Sequence, residues 1–219
     1  MRIAVDARMA VGLLSGPGRY AINLVRSLAE LDHENQYLIL QNRRFSKRIT
    51  KAKNFRTIWV SYPPLSLRGV FLLQSLLRRE KIDIFHSLYF LTPLGPKFLR
   101  VTTLHDIAAL RFPNFFQGRG FLTRIYAKVF TRFSILLSVA CSNKIITVSQ
   151  TAKKDITQWK PELEEKIKVI YEAVDPIFKN ISDPKVIQKT KDKFKLSKKA
   201  GQRKKKQSLK GRNNRIIIQ

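Results

Sequence analysis

Four polar residues stand at the ends of short apolar stretches, where their side chains can meet a ligand. His86, His105, Asp106 and Ser149 each close or follow such a stretch. An imidazole in this position can hydrogen-bond a sugar hydroxyl or a phosphate. A histidine that is bonded locally at the end of a strand has the same sequence signature, so the pattern leaves both interpretations open.

A glycine-containing turn precedes the first long helical pattern. Its candidate ligand-binding residues are Gly16, Pro17, Gly18, Arg19 and Tyr20. Glycines before a helix let backbone amides approach an anion, and the helix dipole favours negative charge there. A plain turn with proline near a helix start needs no ligand and is the alternative. The turn is not the dinucleotide-binding fingerprint, because Gly16 lies ten positions past Asp6, the end of the first predicted strand. No Gly-Lys-Ser/Thr follows, so it is not a P-loop either.

The sequence offers no obvious set of metal ligands. The three histidines, His33, His86 and His105, are widely spaced, and the single cysteine, Cys141, lies in an apolar stretch. No Asp-x-Asp pair is present to hold a divalent cation with a diphosphate. We therefore expect neither a metal nor a cofactor. One cysteine allows no internal disulfide, which fits a reducing compartment.

Positive charge dominates the sequence and is unevenly distributed. The formal net charge at pH 7 is +28 over 219 residues. Residues 189–219 hold 13 of the 43 Lys and Arg and a single acid, so this tail carries +12 and the rest of the chain +16. Such an excess favours anionic partners, namely lipid headgroups, nucleic acid or phosphorylated ligands. The tail has no interleaved aromatic residues to stack bases, so sequence-specific recognition of nucleic acid is not expected.

A basic ridge lies on the longest helical pattern, residues 120–141. Arg124, Lys128 and Arg132 are four residues apart, which places them on one face, and apolar residues line a neighbouring face. A basic amphipathic helix can lie on an anionic membrane, and an ordinary surface helix with a solvated basic face is the alternative. No stretch approaches the roughly 20 apolar residues of a membrane span, and Asp6 interrupts any signal peptide. We expect a cytoplasmic chain, with a peripheral position at the inner face of the plasma membrane as an option.

Short β-branched stretches alternate with helical patterns along most of the chain. The alternation begins with a strand at Arg2–Asp6 and a helix at 17–31, and it ends with a helix at 149–158 and a strand at 166–171. This order predicts an α/β fold, a Rossmann-like parallel sheet with helices on both faces. Ligands of such sheets bind beyond the carboxyl ends of the strands, which is where the polar residues described above are expected.

Seven short motifs, in their order and spacing, resemble the N-terminal domain of family 4 retaining glycosyltransferases. They are residues 1–8 (MRIAVDAR), 16–20 (GPGRY), 83–87 (DIFHS), 103–106 (TLHD), 145–150 (IITVSQ), 154–156 (KDI) and 167–175 (IKVIYEAVD). The ordered set covers roughly residues 1–180 and is specific as a set. Where this family often has Asn-Gly before Val-Asp, the chain has Glu172 and Ala173, which we interpret as a variation at the domain hinge.

The resemblance implies the GT-B architecture, in which two Rossmann-like domains face each other across a cleft. The N-terminal domain would mainly hold the acceptor and the C-terminal domain the nucleoside-diphosphate sugar, with no metal required. His105 would contact the transferred sugar near the reacting centre and is the implied catalytic residue. The implied donor- and acceptor-binding residues are Gly16, Pro17, Gly18, Arg19, Tyr20, His86, Asp106 and Ser149. The ridge Arg124, Lys128 and Arg132 would face a membrane that carries a lipid-linked acceptor.

We expect three regions: a glycosyltransferase N-terminal domain at 1–180, a hinge or linker helix at 181–195 and a disordered, basic, low-complexity tail at 196–219. The strand that should open a donor-binding domain after Leu196 is replaced by a basic stretch, so we expect a truncation or frameshift after about Lys199. The predicted function is the acceptor-side domain of an enzyme that moves a hexose from a nucleoside-diphosphate sugar to a saccharide or lipid-linked acceptor. Such enzymes serve polysaccharide biosynthesis. Alone, the chain is expected to be inactive, because the donor site belongs to the missing domain or to a separate partner chain.

Two other classes remain as alternatives. The basic tail and body fit a module that binds polyanions, either nucleic acid or an anionic membrane. A nucleotide-dependent oxidoreductase is a second alternative, with Arg43 and Arg44 meeting a phosphate after the second strand. The displaced glycine turn argues against the oxidoreductase.

Overall fold

The computed structural model describes residues 1–10, 15–44, 47–61, 67–90, 92–93, 98–112, 115–116, 118, 120–174 and 182–194. Met1–Ala173 forms one compact unit, and Val174–Gln219 is a second unit. The tail expected at 196–219 lies outside the described residues.

A fully parallel sheet forms the centre of the first unit. Its strands are β1 (Arg2–Asp6), β2 (Gln36–Asn42), β3 (Phe55–Val60), β4 (Ile84–Ser87), β5 (Leu99–Thr103), β6 (Lys144–Thr147) and β7 (Ile167–Val169). They lie in the order β3-β2-β1-β4-β5-β6-β7, and every neighbouring pair is parallel. The predicted Rossmann-like α/β fold is confirmed. All carboxyl ends share one edge, and the strand order reverses between β1 and β4, where such sheets bind ligands.

Among the described residues, five α-helices accompany the sheet in the first unit, and one belongs to the second. They are α1 (Gly16–Leu31), α2 (Leu67–Arg79), α3 (Ala108–Arg111), α4 (Phe121–Cys141), α5 (Gln150–Trp159) and, in the second unit, α6 (Pro184–Lys193). The amphipathic patterns of the long helices predict their bounds to within about two residues. The four-residue α3 and a 3₁₀ turn at Pro161–Lys166 were not predicted, because elements this short show no periodicity.

Apolar clusters cover both faces of the sheet. Successive residues of a strand point to opposite faces. Val5 therefore joins Val25 of α1 in one cluster, whereas Ala4 joins Leu73 of α2 in another. A third cluster joins β6 to α4 and α5. This two-sided burial explains why the strands appear in the sequence as nearly continuous apolar runs.

Helix α4 packs on the sheet partly through hydroxyl groups. Thr102 of β5 lies 2.8 Å from the Thr92 hydroxyl and 2.7 Å from the Ser142 hydroxyl. Ser138 of α4 donates to Thr92 over 3.2 Å, and Ser142 donates to the Ser138 carbonyl oxygen over 2.7 Å. These buried polar atoms are mutually satisfied, which removes the penalty of burying them. The inward face of α4 is therefore less apolar than its amphipathic pattern indicates.

Candidate functional site

A buried ion pair stands at the carboxyl end of β1. Arg8 is 1% exposed, and its Nε donates to Oδ1 of Asp6 over 2.7 Å while its Nη2 donates to Oδ2 over 2.5 Å. The same Asp6 oxygen Oδ1 accepts the backbone N–H of Arg8 at 3.2 Å. This fork-shaped pairing is the strong geometry for an arginine and a carboxylate. It fixes the backbone that leaves β1, at the edge of the sheet where ligands are expected.

Gly18 packs against this same backbone. A Cβ atom at Gly18 would lie 3.0 Å from the Met9 carbonyl oxygen and 3.2 Å from the Ser15 hydroxyl. Ser15 caps α1, because its hydroxyl accepts the Gly18 backbone N–H over 3.3 Å. At Gly16, by contrast, a Cβ would meet no described atom within 4 Å. The two glycines of the predicted turn therefore differ: packing accounts for Gly18, whereas the described residues leave space for a side chain at Gly16.

Alanine at these two positions is expected to have different effects on stability. Gly18→Ala should lower the free energy of unfolding by about 1–3 kcal/mol, because backbone atoms of the facing segment must move. Gly16→Ala should change it by less than about 1 kcal/mol, since the added methyl group meets no described neighbour. Urea unfolding followed by circular dichroism measures both. Equal losses in the two variants would contradict the assignment of a packing role to Gly18 alone.

Two of the predicted site residues, His86 and Tyr20, meet at Thr103, the last residue of β5. The Thr103 hydroxyl lies 2.9 Å from Nε2 of His86 and 3.5 Å from the hydroxyl of Tyr20. Burial lowers the pKa of His86 to about 4, so its imidazole is neutral near pH 7. Burial also raises the pKa of Tyr20. For His86, the locally bonded interpretation fits, since its Nε2 is bonded to Thr103 at the end of the neighbouring strand.

His105 lies two residues beyond β5 and has a carboxylate partner. Its Nδ1 is 3.3 Å from Oε1 of Glu172, and the Tyr20 ring packs edge-on against it with ring centroids 4.9 Å apart. Its Nε2 is buried and has no hydrogen-bond partner among the described residues. A carboxylate on Nδ1 favours the tautomer with the proton on Nδ1, which leaves Nε2 as an acceptor. The site therefore holds an oriented imidazole with one unused polar atom.

The other predicted site residues have local roles or are exposed. Asp106 accepts the Ala108 backbone N–H over 2.8 Å at the start of α3, and the Ser149 hydroxyl caps α5 by accepting the Ala152 N–H over 3.1 Å. Pro17 occupies the first turn of α1, and Arg19 is exposed on that helix. Both caps follow strands of the parallel sheet, so they lie along the same edge as His105.

The structure adds Glu172 and the pair Asp6 and Arg8 to the site. Glu172 is not merely a variation at a hinge, because it pairs with His105. Nothing in the sequence links these two residues, which are 67 positions apart. The sequence did contain a signal for the ion pair. Asp6 ends the apolar first strand, and the oppositely charged Arg8 follows two residues later.

The three residues of the basic ridge, Arg124, Lys128 and Arg132, are exposed on α4.

Among the described residues, no three His, Cys, Asp or Glu side chains cluster as metal ligands. No helix in the described part of the chain is long and apolar enough to cross a membrane.

Residues 14–178 match the protein family described as "Glycosyltransferase Family 4". The chain thus belongs to glycosyltransferase family 4, and the resemblance seen in its motifs is confirmed. A comparison with curated proteins gave no match.

Several solved structures resemble the chain at low sequence identity. The crystal structure of Anabaena Alr3699/HepE in complex with UDP matches with a TM-score of 0.49 and 16% identity, over 88% of this chain and 49% of that chain. A glycosyltransferase from Rickettsia africae ESF-5 matches with a TM-score of 0.47 and 17% identity, over 90% and 50%. A UDP-GlcNAc 2-epimerase from Methanocaldococcus jannaschii matches with a TM-score of 0.42 and 11% identity, over 78% and 45%. The chain spans about half the length of these structures.

Proposed function

We propose that the chain is the acceptor-side part of a glycosyltransferase that moves a hexose from a nucleoside-diphosphate sugar to a saccharide or a lipid-linked acceptor. Family membership supports the reaction class. The single observation that carries the site is the oriented imidazole of His105, held by Glu172 and Tyr20 at the ligand edge of the sheet. The nucleotide-sugar site is assigned mainly to a further domain or a partner chain, as the family resemblance implies.

In the proposed reaction, the oxygen of an acceptor hydroxyl bonds to the anomeric carbon, and the bond from that carbon to the diphosphate oxygen breaks. The nucleoside diphosphate leaves with the electrons of that bond, and the proton of the acceptor hydroxyl passes to an oxygen of the departing diphosphate. The leaving group carries negative charge, which the N-terminal end of α1 stabilises through its dipole. Gly16 suits this role better than Gly18, because the space at Gly16 is open among the described residues. His105 orients the transferred sugar by hydrogen bonding, and Glu172 holds the ring for that contact. Since Nε2 is buried, contact with this atom requires a neighbouring side chain to move.

The proposed partners include an anionic membrane surface, because a lipid-linked acceptor is presented there. The ridge Arg124, Lys128 and Arg132 supplies positive charge for such a surface. A peripheral position at the inner face of the plasma membrane follows from this part of the proposal.

The test is a nuclear magnetic resonance titration of the ¹⁵N-labelled chain with UDP-glucose, GDP-mannose and UDP. We expect weak binding, in the millimolar range, because the acceptor-side part makes few contacts with the donor. The amide shifts should be confined to Gly16, Gly18, His105, Asp106 and Ser149. In the variant His105→Gln they should shrink, whereas His33→Gln, a change at an exposed histidine, should leave them unaltered.

Two outcomes would contradict the proposal. Tight, stoichiometric binding of a sugar nucleotide by the chain alone would contradict the acceptor-side assignment. Shifts confined to the opposite edge of the sheet, where Arg2, Lys53 and Arg56 line a separate cavity, would contradict the choice of site.

A further inference from the structure

A cavity lies at the amino edge of the sheet, opposite the edge that holds the proposed reaction site. Its volume is about 470 Å³, within the range of pockets that take small molecules. Among the described residues that line it, the cations Arg2, Lys53 and Arg56 face one carboxylate, that of Glu80. The proposed function makes no use of this cavity, so its excess of positive charge requires an explanation.

The pleat of the sheet places the two arginines on one face. Arg2 opens β1 two residues before Ala4, and Arg56 of β3 pairs with Leu38 of β2. Ala4 and Leu38 pack in the cluster formed with α2, so Arg2 and Arg56 point to that same face. Helix α2 ends at Arg79, and the residues that follow it form a wall of the cavity.

The cations of the cavity keep most of their hydrogen-bonding capacity for a ligand. Arg56 forms an ion pair with the Glu80 carboxylate, and Nη1 of Arg2 donates to the Glu80 carbonyl oxygen over 3.4 Å. The Asp83 carboxylate accepts the Arg2 backbone N–H over 2.7 Å, which holds the start of the strand. Lys53 has no hydrogen bond or ion pair within the described part of the chain. Since each guanidinium has five N–H donors, both arginines are held in place and still have donors for an anion.

The other lining residues favour a ligand that has hydroxyl and apolar groups beside its charge. Leu38 and Ile82 are apolar parts of the lining, on which the C–H face of a sugar ring can pack. The Gln36 amide and the Glu80 carboxylate can accept hydrogen bonds from hydroxyl groups. Glu80 repels any anion, and a saccharide offsets that repulsion because its hydroxyl groups donate to the carboxylate. A bare phosphate group has no comparable donors.

We infer that this cavity binds an acidic saccharide, with the carboxylate of a sugar-acid unit on Arg2 and Lys53 and neighbouring hydroxyl groups on Gln36 and Glu80. The negative charge of the ligand is argued from the cavity alone, whereas the saccharide class rests on the proposed function, in which the acceptor is a saccharide. Because the cavity and His105 lie at opposite edges of the sheet, the cavity holds a part of the saccharide other than its reacting end. Acceptors that carry acidic units are thereby selected.

A nuclear magnetic resonance titration of the ¹⁵N-labelled full chain with trigalacturonate tests the inference. Trigalacturonate has one carboxylate on each of its sugar units. We expect amide shifts at Gln36, Lys53 and Arg56, and no such shifts with maltotriose, a neutral oligosaccharide of the same length. The double variant Arg2→Gln, Lys53→Gln keeps the ion pair of Arg56 with Glu80 and should bind trigalacturonate about 10-fold or more weakly, because two charge-assisted contacts are lost.

The matched control removes two cations that do not line the cavity. Arg26 and Lys154 are exposed on α1 and α5, and Arg26→Gln, Lys154→Gln lowers the net charge by the same amount. This variant should bind trigalacturonate like the unaltered chain, although the basic tail and the total charge are the same in both double variants. Circular dichroism spectra identical to that of the unaltered chain show that each variant is folded.

Three results would overturn the inference. Equal weakening in the two double variants would mean that the basic chain only attracts a polyanion without a defined site. Equally tight binding of maltotriose at the same amides would show that the acidic units are not recognised. Tighter binding of pyrophosphate than of trigalacturonate at these amides would assign the cavity to phosphate.

Failure of this inference and failure of the proposed function give different results, because sugar nucleotides are expected to shift amides at the other edge of the sheet. Trigalacturonate shifts at the cavity, without any response to sugar nucleotides at Gly16 and His105, leave this inference standing and count against the proposed function. A response to sugar nucleotides without trigalacturonate shifts at the cavity counts against this inference alone.

Discussion

Replacing Asp6 by alanine is expected to lower the free energy of unfolding by about 3–5 kcal/mol, a large part of the stability of an ordinary domain. The change removes both carboxylate oxygens that accept from Arg8 and leaves a guanidinium buried at 1% exposure. Such a charge cannot recover its hydration without opening the edge of the sheet. The loss is measured by urea unfolding followed by circular dichroism.

Two further variants separate burial from pairing. Asp155→Ala removes a carboxylate that pairs with Arg111 at a half-exposed position, and it should cost no more than about 1 kcal/mol. The double variant Asp6→Leu, Arg8→Met should recover much of the stability lost in Asp6→Ala, because no buried charge remains. A loss in Asp6→Ala as small as that in Asp155→Ala would contradict the description of a buried pair.

The ion pair also matters for the site, because it fixes the backbone against which α1 begins. The segment held by Arg8 includes Met9, whose carbonyl oxygen would lie 3.0 Å from a Cβ atom at Gly18. The N-terminal end of α1 and Tyr20 are thereby placed relative to β1 and β5. Stability and site geometry are therefore linked at this edge, and destabilising it should also loosen the packing of Tyr20 on His105.

The sequence predicted the sheet and the site edge because both follow from local patterns. Alternating strands and helices fix a parallel sheet, and polar residues at the strand ends then share one edge. The position of His105 at this edge was predicted in this way, and its role in binding a ligand stays a prediction. The role of Glu172 could not be predicted, since its contact with His105 depends on how the chain returns to the sheet after β7.

Helix α4 shows a second feature that could not be predicted from the sequence pattern, namely which face of the helix packs on the sheet. Its spacing revealed a basic ridge and an apolar face, but periodicity does not say which face turns inward. The hydroxyl network of Thr92, Thr102, Ser138 and Ser142 decides this, and its members lie on three separate segments of the chain. An apolar face alone would have been assigned to the core.

The two histidines of the site have different hydrogen-bonding or ion-pair partners, Thr103 for His86 and Glu172 for His105. The Thr103 hydroxyl forms a hydrogen bond with the neutral ring of His86. Glu172 orients His105, whose Nε2 has no hydrogen-bond partner among the described residues. Tyr20 contacts both groups, through its hydroxyl and through its ring. Two histidines with the same sequence signature thus have different environments, and only His105 has a buried ring nitrogen without a partner among the described residues.

Acidification is expected to destabilise the protein through His86. In the unfolded chain this imidazole has an ordinary pKa of about 6.5, whereas burial lowers its pKa to about 4 in the folded protein. Above pH 6.5 both states are neutral, and the group has no effect on stability. Between these two values the unfolded chain binds a proton that the folded protein does not. The free energy of unfolding should therefore fall by up to about 1.4 kcal/mol for each pH unit as the pH decreases.

Urea unfolding at several pH values between about 7.5 and 4.5 measures this slope. His86→Gln keeps a polar side chain but cannot take up the proton, so its slope should be shallower than that of the unaltered chain. His33→Gln, at an exposed histidine, should leave the slope unchanged. Parallel curves for the unaltered chain and His86→Gln would mean that His86 is accessible to protons in the folded state. A protonated His86 would then be a cation beneath Thr103 and Tyr20, at the same edge of the sheet as the proposed leaving group.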